Sequence, residues 1–437
     1  MKKIITGLFA LIATSAFSQT FNTVRLDSLF MLLEKNNKFM GSIAISENGK
    51  TVYTKSIGYD DVAASEKSNI NTKYRIGSIS KTFTATLVFK AIEEKKINLD
   101  QTIDKYFPTI KNATKITISN LLNHRSGIHD FTNDSDYLKW NTQFQPRAKM
   151  IERINAGEAA FEPDTKGQYS NSNYILLSYI LEDVYKKPFS EILSQKIARP
   201  LNLKNTYLGG KISLANNECY SYTLSGKWEK ENETDISIPL GAGGIVSNPT
   251  DLNLFIEGLF AGKIISAEHL NQMKTVKEKF GMGIFEFPFF ETKSYGHTGG
   301  IDGFRAVVSY FPTEKIALAI TSNGLGYDYN NILLCALSSY FNKPYKMPSF
   351  SNISVSAATL DAYSGIYASS QVPLKINISK KDNTLIAQAN GQPSFPLEST
   401  TVNSFKFDPA GIVLEFNAEK KEMLLKQGGK EYLFQKE

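Results

Sequence analysis

A chain of 437 residues, 42% apolar and 21% charged, has globular composition and excludes a disordered or fibrous protein. It is too long for one ordinary core, so two or more folded units are expected. The net charge of +6 is mild for this length, and no Lys/Arg cluster is dense enough to read as a nucleic-acid surface.

The first residues read as a leader. Lys2 and Lys3 form a positive start, residues 4–17 an apolar run, and Ala16-Phe17-Ser18 a small-x-small cleavage site before Gln19. The run is too short to span a bilayer, so residues 1–18 are expected to be a signal peptide and the product exported, to a periplasm or secreted. No cysteine follows the run to carry a lipid, and no later stretch is apolar enough to span a membrane. The two cysteines of the chain, Cys219 and Cys335, are expected as buried thiols; export permits a disulfide, but a fold of this size does not need one.

Leu26, Leu29, Phe30 and Leu33 recur at helical spacing and predict an amphipathic first helix. Residues 41–45 and 51–57 read as strands around a tight Asn48-Gly49 turn. Ser78 heads a segment that runs to about Lys95 without Pro or Gly, and residues 96–240 read as mostly helix and loop. Residues 304–311 and 315–322 are β-rich around Pro312, and a last helix is expected near residues 331–341. Residues 346–359, with Pro348 and several serines, read as a linker. Beyond Leu360, short β runs at 374–378, 384–389, 404–407, 412–416, 423–426 and 432–434 are separated by turn residues. They predict a small antiparallel sheet or barrel of about 80 residues.

Three motifs carry chemistry. Ser78-Ile79-Ser80-Lys81 places a hydroxyl and an amine on one helix face, one turn apart. A serine hydroxyl is a poor nucleophile until a nearby base takes its proton, and Lys81 is in reach to do so. A helix start also points amide hydrogens toward developing negative charge. Tyr169-Ser170-Asn171 follows Pro163 and Gly167 in a loop that enters a helix near Asn173, and His297-Thr298-Gly299 precedes the late β-rich runs. Each motif alone is ambiguous; in isolation Ser78 reads as a helix cap and Lys81 as a surface lysine.

In this order, about 90 and then about 130 residues apart, the three motifs resemble the serine hydrolases of the β-lactamase and penicillin-binding-protein superfamily, of the class C-like, D-alanyl-D-alanine carboxypeptidase type. Leu121-Leu122-Asn123-His124-Arg125-Ser126-Gly127-Ile128 and Gly241-Ala242-Gly243-Gly244-Ile245-Val246-Ser247 add to the resemblance, which covers about residues 25–340. It implies Ser78 as nucleophile, Lys81 as base, Tyr169 as proton relay, and Asn171 as the group that orients the lysine and binds a substrate carbonyl. His297 stands where most relatives have lysine, to complete the relay or attract an anionic substrate end. The resemblance further implies that Thr298 donates to a carboxylate, that Gly299 lets substrate lie along the strand, and that Gly300 supplies an oxyanion-hole amide with Ser78. His124 is expected to be structural. The C-terminal segment, opening at Leu360-Asp361-Ala362-Tyr363, resembles a lipocalin-like accessory domain.

The expected architecture is mixed α/β: an antiparallel sheet flanked by helices with an all-helical lobe over residues 19–345, then a small all-β barrel over 360–437. The expected function is an acyl-enzyme hydrolase, most simply a D-alanyl-D-alanine carboxypeptidase on cell-wall peptides. Esterase and β-lactamase action use the same residues, and a catalytically silent cell-wall-binding protein is the alternative of another class. Partners are a small peptide, ester or β-lactam and peptidoglycan. No metal or cofactor is expected, because no His/Cys/Asp/Glu set has ligand spacing and no glycine run reads as a phosphate loop.

Overall fold

The computed structural model of the protein describes residue 21, residues 23–350 and residues 353–437. The expected signal peptide lies outside the described residues. In helix α1 (Thr23–Lys35) the predicted stripe of Leu26, Leu29, Phe30 and Leu33 is buried. Strands β1 (Phe39–Glu47) and β2 (Lys50–Ile57) form the expected hairpin. Its turn residues Asn48 and Gly49 have φ of +52° and +79°, the two left-handed conformations that a two-residue turn of this hand requires.

Helices α2 (Ser80–Glu93), α3 (Asn171–Tyr185) and α4 (Pro249–Phe260) follow. Then come β3 (Phe285–Phe289), β4 (Thr292–Ile301), β5 (Phe304–Phe311), β6 (Ile316–Leu325) and helix α5 (Tyr329–Tyr340). The strands are ordered β3-β4-β5-β6-β1-β2, all antiparallel, so the first and last segments of this part of the chain meet at β1 and β6. A short hairpin, Tyr222–Ser225 with Lys227–Lys230, pairs parallel to the end of β6. Nothing in the sequence announces it, because four residues are too few for a period-two pattern to stand out.

Strand β6 shows why the sheet is a middle layer. Ile316, Leu318 and Ile320 join the core under α1 and α5, while Ala317 and Ala319 join the core that holds α2, α3 and α4. Alternation sends successive side chains to opposite faces, and small alanines on one face admit a closely packed helix. On that side Phe83 of α2 stacks on Phe255 of α4, with ring centroids 3.6 Å apart. Each such buried ring contributes about 1.5–3 kcal/mol relative to exposure. Helix α3, with Ile118–Leu122, Arg147–Ala156 and Phe189–Leu193, builds the helical lobe.

The C-terminal residues form a nine-stranded antiparallel sheet. Its two edges, Phe395–Pro396 and Glu398–Ser399, are separated in sequence by Leu397 alone, so the sheet curls into a near-closed barrel. Helix Ala357–Tyr363 gives Leu360 and Tyr363 to the barrel core, where Tyr363 stacks on Phe416 at 4.7 Å. The segment read as a linker carries contacts: Met347 and Phe350 pack on the α1/α5 core. Lys38, 6% exposed, ion-pairs with Glu398 and lies 3.6 Å from Asp408, which ties the start of β1 to the barrel. Cys219 and Cys335 are both free and buried.

Candidate active site

Ser78 is presented by a short 3-10 turn, Gly77–Ile79, that runs directly into α2. Lys81 follows three residues later and is fully buried. Its Nζ lies 3.0 Å from Ser78 Oγ, 2.8 Å from Asn171 Oδ1 and 2.7 Å from the Ala242 carbonyl. The Tyr169 hydroxyl donates to Ser78 Oγ at 2.8 Å. The geometry thus brings together Ser78, Lys81, Tyr169 and Asn171 from segments some ninety residues apart.

The protonation of Lys81 decides what this cluster can do. Burial pushes its amine down to about 7, while Asp130 pulls the other way. A neutral amine has two hydrogens and one lone pair. Asn171 Oδ1 and the Ala242 carbonyl can only accept, so they take the two hydrogens. The lone pair is left facing the Ser78 hydroxyl, which is the arrangement of a general base. Tyr169 is in the opposite situation. Burial raises its pKa, outweighing the lowering effect of the Ser78 hydrogen bond, and it stays a neutral phenol.

The supports of this cluster come from several elements. Thr84 of α2 donates to the Gly241 carbonyl at 2.7 Å, and Ser178 of α3 accepts from the Gly241 amide at 3.1 Å, which fixes the Ala242 carbonyl next door. His124 accepts from the Ser170 amide at 3.2 Å and stacks on the Tyr169 ring at 4.4 Å. Burial holds its pKa well below the usual value, as an acceptor nitrogen requires. Its place is therefore behind Tyr169, as a support. Ser80 faces away and accepts from the Ile245 amide at 3.1 Å.

Strand β4 brings the third motif. Strand β3 stops pairing opposite Gly296, so beyond it His297, Thr298, Gly299, Gly300 and Ile301 have no strand partner on that side among the described residues. This stretch presses against the turn that carries Ser78. A β-carbon on Gly299 would fall 2.0 Å from the Ile76 carbonyl oxygen and 3.1 Å from the Ser78 amide nitrogen. Gly77, with φ +52°, is also held against Gly300, where a β-carbon would fall 2.6 Å from the Gly300 nitrogen. Thr298 and Gly300 are exposed.

His297 is enclosed. It is 2% exposed, lies on the face of β4 turned to α2, and its Nδ1 sits 2.5 Å from the Thr298 carbonyl. The ring packs on Phe285 at 4.6 Å. Burial, helped by the Lys81 charge, pushes its pKa down to about 3. A neutral, enclosed imidazole carries no charge to attract an anionic substrate end, one of the two roles expected of His297.

A cavity of about 540 Å³ opens over Ser78 and Gly300. Phe131, Tyr137, Ile175, Ile238 and Ile301 give it an apolar wall, and its charged lining residues are Glu231 and Asp302. Asp302 accepts from Thr234 at 2.6 Å and pairs with Arg75 at 3.2 Å; Arg75, 3% exposed, also reaches Glu233 at 3.4 Å. Sequence reasoning missed this network and also Asp130, whose Oδ2 accepts from Asn171 Nδ2 at 3.0 Å. Asp130 lies forty-one residues from Asn171, and an acidic loop residue has no pattern of its own. Among the described residues, no group of three or more His, Cys, Asp or Glu could hold a metal ion.

A helix-flanked antiparallel sheet with serine, lysine and tyrosine gathered under a helical lobe is the design of serine hydrolases of the β-lactamase and penicillin-binding-protein type. Residues 34–332 match the Beta-lactamase family, and the chain belongs to it. Teichoic acid D-alanine hydrolase of Staphylococcus aureus (strain MRSA252) is 28% identical over 71% of this chain and 77% of its own length. Solved structures that share the fold include two of different origin. D-amino acid amidase from Ochrobactrum anthropi SV3 has a TM-score of 0.65 at 22% identity, covering 73% of this chain and 99% of that one. The octameric penicillin-binding protein homologue from Pyrococcus abyssi has a TM-score of 0.66 at 24% identity, covering 95% and 100%.

Proposed function

We propose that the protein is an exported hydrolase that removes D-alanyl groups from esters or amides through an acyl-enzyme on Ser78. In this reading Lys81 takes the Ser78 proton as Oγ attacks the carbonyl carbon. The oxyanion is held by the backbone amides of Ser78 and Gly300. The ester or amide bond then breaks, and the leaving group receives a proton through the Tyr169 hydroxyl, so that the proton taken by Lys81 is returned. Water repeats the sequence on the acyl-enzyme and releases D-alanine. The relatives named for D-alanine on teichoic acid and for D-amino acid amides support the acyl group, and the former supports work outside the cytoplasm.

One observation favours an ester or amide of a free amino acid over the carboxyl end of a D-alanyl-D-alanine peptide. The charged side chains lining the cavity are carboxylates, Glu231 and Asp302, and Arg75 beside them is already shared between Asp302 and Glu233. Such a rim attracts an ammonium and repels a carboxylate. The motif pattern alone carries the carboxypeptidase reading, and a neutral His297 adds no positive charge for a peptide carboxylate. The test is kcat/KM for a D-alanyl ester with a free amine, its N-acetyl derivative, and a D-alanyl-D-alanine peptide. The free amine is expected to be preferred at least about tenfold, the worth of one favourable charge contact. Glu231→Gln should shrink that preference. Faster turnover of the peptide would return the carboxypeptidase reading.

A further inference from the structure

The strongest unassigned feature is a closed hydrogen-bond triangle behind the nucleophile. Asp130, 8% exposed, accepts at both carboxylate oxygens. Oδ1 receives the Thr132 amide at 3.1 Å and the Thr132 hydroxyl at 2.9 Å, and Oδ2 receives Asn171 Nδ2 at 3.0 Å. The second hydrogen of Asn171 Nδ2 goes to Thr132 Oγ1 at 3.2 Å. Both hydrogens of the Asn171 amide are thus spent on one side, and its oxygen must face Lys81.

From this we propose that Asp130 is the positioning residue of the catalytic base: by fixing which way the Asn171 amide points, it aims the Lys81 lone pair at Ser78. If the amide turned over, its nitrogen would face Lys81. The lone pair would then be drawn to that N–H, and Lys81 would offer Ser78 a hydrogen instead. An asparagine at position 130 cannot replace the aspartate, because an amide accepts on one arm only and both arms here meet donors. The inference rests on Lys81 acting as the base proposed above.

The charged and titratable groups around Lys81 are Ser78 on its own segment, Asp130 from the loop below, Tyr169 and Tyr174 from the second motif and α3, His124 beside Tyr169, and His297 from β4. Both histidines are neutral, so Asp130 is the charge that acts on Lys81, and it raises the amine's pKa.

The rate of Ser78 phosphonylation by a fluorophosphonate, followed against pH by intact mass, reads the base without any assumed substrate. Asp130→Asn is expected to slow labelling about 100-fold, the scale of a lost general base. Its acid limb should move to lower pH by about one unit, since an anion favouring the charged amine is gone. The exchanged pair, Asp130→Asn with Asn171→Asp, puts a carboxylate acceptor in front of Lys81 and leaves an amide behind it to donate to that carboxylate. It should recover most of the rate at high pH, with the acid limb moved above that of wild type. An Asp130→Asn protein with unchanged rate and limb, or a folded exchanged pair no faster than the single variant, would overturn the proposal. Should Asp130→Asn fail to fold, a folded exchanged pair that is silent at every pH overturns it equally. Failure of wild type to hydrolyse a D-alanyl ester would count against the substrate reading alone.

Discussion

Gly77 and Gly300 stand so close that a β-carbon on Gly77 would fall 2.6 Å from the Gly300 backbone nitrogen. The turn that carries Ser78 and the strand that carries Gly300 are therefore locked by contact, and the oxyanion site proposed between their amides is set by that contact. Gly77 has φ +52°, where a side chain is also strained. Gly77→Ala should push the strand away and lower kcat by about 10²–10³, as losing an oxyanion donor does, with KM much less affected. Pre-steady-state acylation checks it.

Lys81 and Tyr169 meet at one hydroxyl, so their losses should overlap. Lys81→Ala and Tyr169→Phe together should cost little more than the worse single variant. In the proposed reaction the neutral amine is the active form. Since its pKa is lowered to about 7, kcat/KM should rise as pH increases through about 7 and fall below it. The pH profiles of wild type and of a Lys81→Ala control test both statements.

His297 gives an outcome opposite to the one its sequence position invites. A lysine there would bury an ammonium beside Lys81 without a partner. His297→Lys should destabilise the protein by about 3–5 kcal/mol, read as a fall in melting temperature, and should not create a preference for carboxylate-ended peptides. With N-acetylated substrates, whose amines carry no charge, the ratio of ester to peptide turnover should stay flat from about pH 6 to 9 in wild type, because burial keeps the imidazole neutral across that range.

The barrel is proposed as an accessory. None of the residues that line the cavity over Ser78 belongs to it. A chain ending at Phe350 should still label at Ser78 at a wild-type rate. It should melt lower, because Lys38 loses Glu398 and Asp408 and its buried ammonium is left unpaired. Fluorophosphonate labelling beside a thermal melt measures both.

The sequence made some of this plain for physical reasons. Ser78 and Lys81 are tied by helical period, and the stripe of α1 and the Asn48-Gly49 turn follow from local chemistry alone. Strands Phe395–Pro396 and Glu398–Ser399 were not legible, since two residues make no pattern and proline is a poor strand signal. The Ala242 carbonyl that holds Lys81 is backbone, and no side chain advertises it. Asp130 and Arg75 act through partners distant in sequence. His297 was visible as a residue, but its burial, which sets its charge, comes only from packing against Phe285 and α2.

The proposed reaction passes through an acyl-enzyme on Ser78 formed from a D-alanyl donor. Rapid acid quench of wild type turning over a D-alanyl ester, followed by peptide mapping, tests it most directly. One added alanyl mass is expected on the peptide containing Ser78, and none in Ser78→Ala. An adduct on another residue, or ester hydrolysis undiminished in Ser78→Ala, would contradict it.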